Sequence, residues 1–324
     1  MDHYRLLEVA TNATDDVIHA AYRVLAKKHL GDDEYLRKLN DAKDILTDDK
    51  KRQDYDNKID PTVKGKVIGR YRIKEIIASG GFGKTYLADH IELGTQVCIK
   101  HAHKISSEDE LLLHQEAKSI WDLRHYGIPN IRDIVKLPDG SMALVMSYIP
   151  GPTLAQIVEK NRKLDAEHVA WISERVLNIL KYLHFHGVVH GDVKPQNIIV
   201  QPDSHSVVLV DYGLSAIRPR SGETNKGYTP YFAAPEQMRG GVLLPETDFY
   251  GLGMTMVYAL GGDVEHKSVP DKTPKNIFAF LKKLIAFEVL SRPNWHKEDL
   301  VESFRQVRMD DFGRAASGMK PLKY

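Results

Sequence analysis

Five polar side chains stand directly in front of a run of β-branched residues in the segment HGDVKPQNIIV, residues 190–200. They are His190, Asp192, Lys194, Gln196 and Asn197, and the apolar run after them predicts a short buried strand. A second apolar run, VVLV at residues 207–210, is followed at once by Asp211. A strand does not need such groups at its ends. The pattern therefore indicates polar groups that two rigid strands hold in place for chemistry.

The remaining chain separates into regions by its hydrophobic periodicity. Residues 1–57 are predicted to be all helical: in DDVIHAAYRVLAKKH the apolar residues Val17, Ala20, Ala21, Val24 and Leu25 recur at helical spacing, and a second helix is predicted over about residues 34–46. Residues 58–69 carry Pro and Gly with little apolar pattern, which predicts a linker.

Residues 70–150 alternate short β-rich runs with turns, and one helical stretch at about residues 107–123 interrupts them. Residues 151–300 are mostly helical, with helical periodicity over 166–186, 246–260 and 274–288, and residues 301–324 are predicted to form a C-terminal tail. The expected fold class is α+β: a small all-α module, a small antiparallel sheet with one helix, then a larger helical lobe.

Composition excludes several classes of protein. The formal net charge is +1, so no overall field draws the chain to nucleic acid or to an anionic membrane. No apolar run approaches the roughly 18 to 20 residues that a membrane helix needs. The single cysteine permits no internal disulfide, which suits a reducing cytosol, and the N-terminus has no signal-peptide pattern. We therefore expect a cytoplasmic protein with no nucleic-acid or membrane partner.

Further motifs flank the opening segment. IASGGFGKTYLA at residues 77–88 is a strand, a Gly-rich turn and a strand; Lys100 ends the strand run VCIK; and Glu116 lies on the predicted helix. Taken singly, these are an ordinary hairpin, a solvated strand end and a solvent-facing glutamate. Beyond Asp211 come Ala234-Pro235-Glu236, Asp248 at the start of an apolar helix, and Arg292. In this order and spacing, the motifs resemble those of the protein-kinase family over about residues 70–300.

The resemblance implies a bilobal protein-kinase fold and ATP- and Mg²⁺-dependent transfer to a protein substrate. Asp192 would orient the substrate hydroxyl, and Lys194, typical of the serine/threonine branch, would steady the γ-phosphate. Asn197 and Asp211 would hold Mg²⁺. Lys100 would grip the α- and β-phosphates and be fixed by Glu116. The other implied ATP-binding residues are Ile77, Ala78, Ser79, Gly80, Gly81, Phe82, Gly83, Thr85, Cys98, Met146, Ser147 and Ile149.

Within that set, Met146 matches the gatekeeper position, and backbone groups of Ser147 and Ile149 would bond adenine. Cys98 takes the position of the family's usual alanine, which faces adenine, and we expect it to act there as a small buried hydrophobe rather than in a redox role. Glu236 and Arg292 resemble the structural ion pair of the larger lobe, and for Glu236 and Asp248 we expect structural rather than catalytic roles.

The sequence departs from the family pattern at several positions. Ala78 stands for the first glycine of the loop, Thr85 for a valine, and Tyr212 for the phenylalanine of Asp-Phe-Gly. Gly191 stands where many members carry an arginine that pairs with a phosphorylated loop. We therefore expect activity before any loop phosphorylation. The candidate phosphosites are Ser221, Thr224 and Thr229, of which Thr229 is expected to order the docking loop.

The first 57 residues resemble a J-domain, the co-chaperone module. The matching words are Leu6-Leu7-Glu8-Val9, Asn12-Ala13-Thr14, Ala21-Tyr22-Arg23 and the stretch from Lys51-Arg52 to Tyr55-Asp56. The family's His-Pro-Asp tripeptide is replaced by Leu30-Gly31-Asp32. We therefore predict a protein-binding or regulatory module rather than a stimulator of a chaperone ATPase. Its basic stripe Arg23, Lys27 and Lys28 is either a docking face or a solvated helix face.

Other functional classes remain open at this point. A pseudokinase scaffold would bind nucleotide and partners without transfer. A small-molecule kinase would share the fold, although Thr229-Pro230 and the following Ala-Pro-Glu resemble a peptide-docking loop. A co-chaperone with a kinase passenger would need the tripeptide that Leu30-Gly31-Asp32 replaces.

Overall fold

The computed structural model describes residues 3–9, 13–29, 31–59, 64–80, 83–101, 107–137, 141–315 and 322. The chain forms two compact units. The first comprises residues 1–114 and 131–148, and the second comprises residues 115–130 and 149–324.

The first unit begins with a helical module. Its helices are α1 (His3–Leu6), α2 (Asp15–Lys28), α3 (Asp33–Leu46) and α4 (Asp49–Ile59). Their shared core consists of Tyr4, Leu6, Leu7, Ala13, Ile18, Leu25, Leu39, Ala42 and Leu46. The apolar face of α2 agrees with the predicted one only in part: Leu25 is buried as predicted, but Ile18 is buried with it, whereas Val17 and Val24 are 49% and 66% exposed.

A buried arginine joins the ends of this module. The Nε of Arg52 in α4 donates to the Tyr4 hydroxyl at 2.9 Å, and its Nη2 donates to the carbonyl of Ala13 at 2.9 Å. A buried cation is costly unless its donors are used. These bonds therefore fix α4 against α1 and against the chain before α2.

The rest of the first unit is a six-stranded antiparallel sheet in the order β1-β2-β3-β4-β6-β5. Its strands are β1 (Val67–Ile68), β2 (Tyr71–Gly80), β3 (Gly83–His90), β4 (Gln96–His101), β5 (Ile131–Lys136) and β6 (Met142–Ser147). Helix α5 (Ser107–Ile120) follows β4. One face carries an apolar core that includes Ile76, Tyr86, Ile99 and Val145. Cα atoms of α4 lie within 8 Å of Cα atoms of β2, so the helical module contacts this sheet.

The second unit is mainly helical. Its helices are α6 (Leu154–Asn161), α7 (Ala166–Phe185), α8 (Pro235–Met238), α9 (Pro245–Ala259), α10 (Lys275–Leu284) and α11 (Leu300–Phe312). Two-stranded ribbons pair β7 (Val188–Val189) with β10 (Ala216–Ile217), and β8 (Ile198–Gln201) with β9 (Ser206–Leu209). Short 3₁₀ turns span Pro195–Asn197, Pro202–Ser204 and Val289–Ser291. Helix α9 is buried along almost its whole length, as an apolar helix at the centre of a lobe should be.

Local chemistry explains where several helices begin and end. Thr153 and Gln156 form a capping box at the start of α6, and the Asp165 side chain caps α7. The predicted helix over 274–288 ends at Leu284, and beyond it the carbonyls of Ala286 and Phe287 accept hydrogen bonds from Arg292.

Helix α11 lies mostly within the stretch that the sequence predicts as a tail. The Asp299 side chain caps its first turn, Arg308 pairs with Glu174, and Arg314 pairs with Glu167. These pairs attach α11 and the residues after it to α7. Within the ranges that the structure describes, no helix combines the length and apolar character needed to cross a membrane.

Candidate active site

The polar loop of the opening segment lies between β7 and β8, with Asn197 in the 3₁₀ turn that leads into β8. The Asn197 Nδ2 donates to the Asp192 carbonyl at 2.9 Å and to Asp192 Oδ2 at 3.0 Å. Both residues are buried. The amide of Asn197 therefore holds the backbone and the carboxylate of Asp192 in one arrangement.

Two more groups complete the surroundings of the Asp192 carboxylate. The Lys194 Nζ lies 2.8 Å from Asp192 Oδ2 and donates to Thr229 Oγ1 at 2.8 Å. The Thr229 hydroxyl donates to Asp192 Oδ1 at 2.6 Å. Asp192 thus accepts a hydrogen bond from a hydroxyl group beside an ammonium group, which is the contact that orientation of an attacking alcohol requires.

Buried groups on helices hold the backbone of the loop. The two carboxylate oxygens of Asp248 on α9 accept from the backbone N–H groups of His190 and Gly191, each at 2.8 Å. Trp295 Nε1 donates to His184 Nδ1 at 2.8 Å, so the ring proton of a neutral His184 is on Nε2, which faces Asp248 Oδ2 at 2.8 Å. The expected structural role of Asp248 is therefore specific: it fixes the peptide groups next to Asp192.

His190 links this loop to the strand end before Asp211. The Asp192 backbone N–H donates to His190 Nδ1 at 3.2 Å, and His190 Nε2 donates to the Val210 carbonyl at 3.2 Å. Burial lowers the pKa of the His190 imidazole below its ordinary value of 6.5, against the opposing charges of Asp248, Asp192 and Asp211. A neutral ring satisfies both hydrogen bonds.

Asp211 lies in the left-handed backbone region at φ +66°, and its Oδ1 accepts from the backbone N–H of Gly213 at 3.3 Å. Tyr212 is fully buried, and its hydroxyl donates to the Leu209 carbonyl at 3.2 Å. Burial raises the pKa of Tyr212 well above its ordinary value of 10.0, so the hydroxyl remains a donor. Glu116 Oε1 accepts from the Tyr212 backbone N–H at 3.4 Å.

Asn197 and Asp211 are chemically suited to Mg²⁺. The backbone N–H of Val210 donates to the Asn197 carbonyl at 2.9 Å, which holds the chain before Asp211 next to Asn197. Asn197 uses its Nδ2 on Asp192, which leaves its amide oxygen as the atom for a cation. An amide oxygen and a carboxylate are the hard oxygen ligands that Mg²⁺ prefers.

In the first unit, Ala78, Thr85, Cys98, Lys100 and Met146 of the implied nucleotide residues share one face of the sheet. Ala78, Thr85, Lys100 and Leu144 are paired across β2, β3, β4 and β6. Two residues further along, Leu87, Cys98 and Met146 form the next row on the same face, because side chains alternate along a strand. The row between them, Tyr86, Ile99 and Val145, faces the apolar core.

The predicted residues of the Gly-rich turn are described only in part. Gly80 and Gly83 pair across the hairpin, and Ile77 is half-buried. Gly81, Phe82 and the side chain of Ser79 lie outside the described residues. Ser147 pairs with Val97 at the end of β6, and Ile149 begins the second unit.

Comparisons with protein-family models agree with the fold and the site described above. Residues 71–307 match the protein kinase domain model. The chain belongs to the protein kinase family. Residues 2–56 match the DnaJ domain model, so the J-domain resemblance is also confirmed. The predicted fold class, a kinase domain preceded by a small J-like helical module, is likewise confirmed.

Several curated relatives are named serine/threonine-protein kinases. Pkn3 of Myxococcus xanthus is 31% identical over 61% of this chain and 39% of its own length. Kinase D of Synechocystis is 34% identical over 60% of this chain and 41% of its own length. PknA of Mycobacterium tuberculosis is 28% identical over 72% and 59%, respectively. The matches thus span between about two fifths and three fifths of these relatives.

The candidate phosphosites of this kinase domain fall into two groups. Ser221 and Thr224 are exposed, whereas the Thr229 hydroxyl lies between Asp192 and Lys194. A phosphate on Thr229 would place two negative charges beside the Asp192 carboxylate. The geometry therefore favours the ordering role expected for Thr229 over a role as a regulatory phosphosite.

The predicted ion pair of the kinase domain is confirmed. Arg292 Nη1 lies 2.7 Å from Glu236 Oε1, and Nη2 lies 2.9 Å from Oε2. Sequence reasoning missed three site residues: His184, Trp295 and Gln237. Gln237 directly follows the Ala-Pro-Glu motif, but a single glutamine at that position carries no pattern from which its partners could be inferred.

Proposed function

We propose that the chain is an ATP- and Mg²⁺-dependent serine/threonine protein kinase, which acts in the cytoplasm and is regulated by its J-like module. The observation that carries the proposal is the arrangement around Asp192. Its carboxylate accepts from Asn197, lies against Lys194, and already accepts from one hydroxyl, that of Thr229. A substrate serine or threonine hydroxyl would need the same acceptor.

The proposed roles follow from the chemistry of each group. Asp192 orients the attacking hydroxyl and accepts its proton, and Lys194 offsets negative charge on the transferred phosphoryl group. Asn197 and Asp211 would hold Mg²⁺, which would supply positive charge to neutralise phosphate oxygens. Lys100, on the sheet face shared by Thr85, Cys98 and Met146, contacts the other phosphates of ATP.

The test is phosphate transfer from radiolabelled ATP to a generic basic protein. We expect Asp192→Ala to lower transfer by about 10²- to 10⁴-fold, which is the usual contribution of general-base help. Asp203→Ala is the matched control, because Asp203 is exposed and lies beyond β8 in the same unit. Transfer by Asp192→Ala above about a tenth of the wild-type rate would refute the assigned role.

The second candidate is a pseudokinase scaffold. This candidate is supported by the DnaJ domain match of residues 2–56, because a module that binds partner proteins needs no phosphoryl transfer. Nucleotide binding with no transfer by the wild-type chain, on any protein substrate, would favour the scaffold. Nucleotide binding lost in Lys100→Ala and kept in Asp192→Ala would show that the site is still a nucleotide site.

For the J-like module we propose regulation in cis. Helix α4 lies against β2, the strand that carries Ile77 and Ala78 of the Gly-rich turn. A short linker keeps the module at a high effective concentration near this sheet. Gly31 and Asp32 are the described residues of the replaced tripeptide, and Leu30 lies outside the described residues. Recruitment of a separate protein partner through residues 1–57 is the alternative.

A further inference from the structure

Gln237 is a buried side chain that joins two functional segments. It lies in α8, directly after Glu236, and is 3% exposed. Its Nε2 donates to the carbonyl of Gly191 at 2.7 Å and to the carbonyl of Gly227 at 3.2 Å. Gly191 precedes Asp192, and Gly227 is two residues before Thr229. One amide group therefore connects the loop of Asp192 with the segment that supplies its hydroxyl neighbour.

The Gly191 peptide is held from two sides. Asp248 Oδ1 accepts from its N–H at 2.8 Å, and Gln237 donates to its carbonyl. Its φ is +75°, and a Cβ at this position would lie 2.8 Å from both the Leu214 carbonyl oxygen and Leu243 Cδ1. No side chain at position 191 has room to reach the segment around Gly227 in this arrangement. Gln237, on α8, instead connects Gly191 with Gly227 through its Nε2.

A second neutral side chain strengthens the same connection. Asn225 Nδ2 donates to the Gln237 carbonyl at 2.7 Å and to the Gly241 carbonyl at 3.1 Å. Asn225 Oδ1 accepts from the Gly227 N–H at 3.1 Å. The exposed Ser221 and Thr224 lie outside these contacts. Gln237 and Asn225 thus tie residues 225–227 to α8 through uncharged groups.

We propose that Gln237 is a positioning residue that holds Asp192 and Thr229 in register in the unphosphorylated chain. This proposal rests on the phosphoryl transfer proposed above and concerns its regulation. The contact depends on the Gln237 amide and the Gly191 and Gly227 carbonyls, and not on a phosphate group. Loss of the amide removes the donor of the buried Gly191 carbonyl and of the half-buried Gly227 carbonyl, so the two segments are expected to separate. A displacement of about 1 Å at reacting groups costs on the order of a hundredfold in rate.

The test compares Gln237→Met with Gln201→Met in the full chain after phosphatase treatment. Methionine keeps the volume of glutamine but removes the donor. Gln201 is the matched control, because its Nε2 donates to the Pro150 carbonyl at 3.1 Å in the same unit at an exposed site. Asn225→Ala is a second variant. It removes the hydrogen bonds from Asn225 to the Gln237 and Gly241 carbonyls and leaves the buried Gln237 side chain in place.

We expect dephosphorylated wild type and Gln201→Met to transfer phosphate. Gln237→Met should lose about ten- to a hundredfold in kcat with KM for ATP unchanged, and Asn225→Ala should lose less. Hydrogen exchange in peptides covering residues 188–194 and 214–229 should accelerate in Gln237→Met and not in Gln201→Met.

Unchanged kcat and unchanged exchange in Gln237→Met would overturn the positioning role. Wild type that is inert until Ser221 or Thr224 is phosphorylated would overturn independence from phosphate. Wild type that is inert in every form would refute the proposed transfer instead. The exchange comparison would then still decide whether Gln237 joins the two segments.

Discussion

The Thr229 hydroxyl is hydrogen-bonded directly to the Asp192 carboxylate. It donates to Asp192 Oδ1 and accepts from Lys194 Nζ, so it bridges an acid and a base within one hydrogen-bonded cluster. Both bonds involve a charged partner and are stronger than neutral ones. A side chain without a hydroxyl would leave the carboxylate and the ammonium group to rearrange.

We predict that Thr229→Val lowers kcat about tenfold or more, since hydrogen bonds to charged groups are worth about 1.5–3 kcal/mol. Thr229→Ser keeps the hydroxyl and should retain most of the rate. Thr229→Glu should inactivate, because it adds a negative charge beside Asp192. Steady-state assays with a fixed peptide substrate measure all three. Equal rates for Thr229→Val and wild type would mean that the bridge does not contribute to transfer.

Residues of the candidate site differed in how far the sequence could reveal them. Asp192, Lys194 and Asn197 lie within one short motif in front of an apolar strand, so local pattern was sufficient. The bond from Gln237 to Gly191 spans 46 positions, and the bond from Trp295 to His184 spans 111. Such contacts depend on tertiary packing, which a single sequence does not encode in any local period.

At the scale of elements, α2 shows how packing selects between two adjacent apolar stripes. Val17 and Val24 form one stripe, and Ile18 and Leu25 form another one residue later along the helix. Either satisfies the helical period, so periodicity predicted the helix and the buried Leu25 correctly, but it selected Val17 and Val24 where packing buries Ile18. The core around Leu39 and Leu46 of α3 receives Ile18 and Leu25.

This difference yields a prediction on two adjacent residues. Leu25→Ala should destabilise the J-like module by about 2–5 kcal/mol, as large-to-small changes in a core do. Val24→Ala removes a 66% exposed side chain and should change stability by less than about 0.5 kcal/mol. Hydrogen exchange of α2 and α3 in the full chain distinguishes the two. Equal protection in both variants would contradict the assigned face.

The ion pair of Glu236 with Arg292 joins α8 to the chain after α10 and predicts an acid dependence. Burial raises the pKa of Glu236, but hydrogen bonds from Arg292, the local backbone and Thr247, with the Arg292 charge, bring it below its ordinary value of 4.5. A carboxyl whose pKa is lower in the folded state stabilises the fold above the unfolded value. That stabilisation is lost as the pH falls through the folded value.

We therefore expect the melting temperature of the full chain to fall as the pH drops below 4.5, and Glu236→Gln to reduce this slope while lowering stability at neutral pH. Asp203→Ala, at an exposed site, should leave the slope unchanged. Calorimetry across this range measures the effect. Identical slopes for Glu236→Gln and wild type would show that the pair does not contribute to the acid sensitivity.

For the whole molecule, the contact between α4 and β2 makes the J-like module a candidate regulator of its own kinase domain. We predict that deletion of residues 1–60 changes the transfer rate several-fold. The isolated module should not accelerate hydrolysis by a heat-shock ATPase, because Gly31 and Asp32 are not preceded by the histidine of the tripeptide. The unmodified full chain is the reference in both the phosphoryl-transfer assay and the ATPase assay.

A full chain with an engineered protease site is the control for this deletion. A protease site placed between residues 59 and 64 allows the module to be released after folding, so a change in rate on cleavage reports regulation rather than misfolding. An unchanged rate after both deletion and cleavage would refute regulation in cis and leave recruitment of a partner. Accelerated ATP hydrolysis would show that the replaced tripeptide is still functional.

The filled space around Gly191 has an evolutionary consequence. A residue larger than glycine has no room here unless its neighbours shift, since a Cβ would meet the Leu214 carbonyl oxygen and Leu243 Cδ1 at 2.8 Å. Leu243→Ala would remove only the side-chain obstacle, and the backbone oxygen would remain. A single substitution of Gly191 by arginine therefore requires the backbone at Leu214 to move. Descendants of this chain are expected to acquire new regulation through the J-like module or the surface, and to keep glycine beside Asp192.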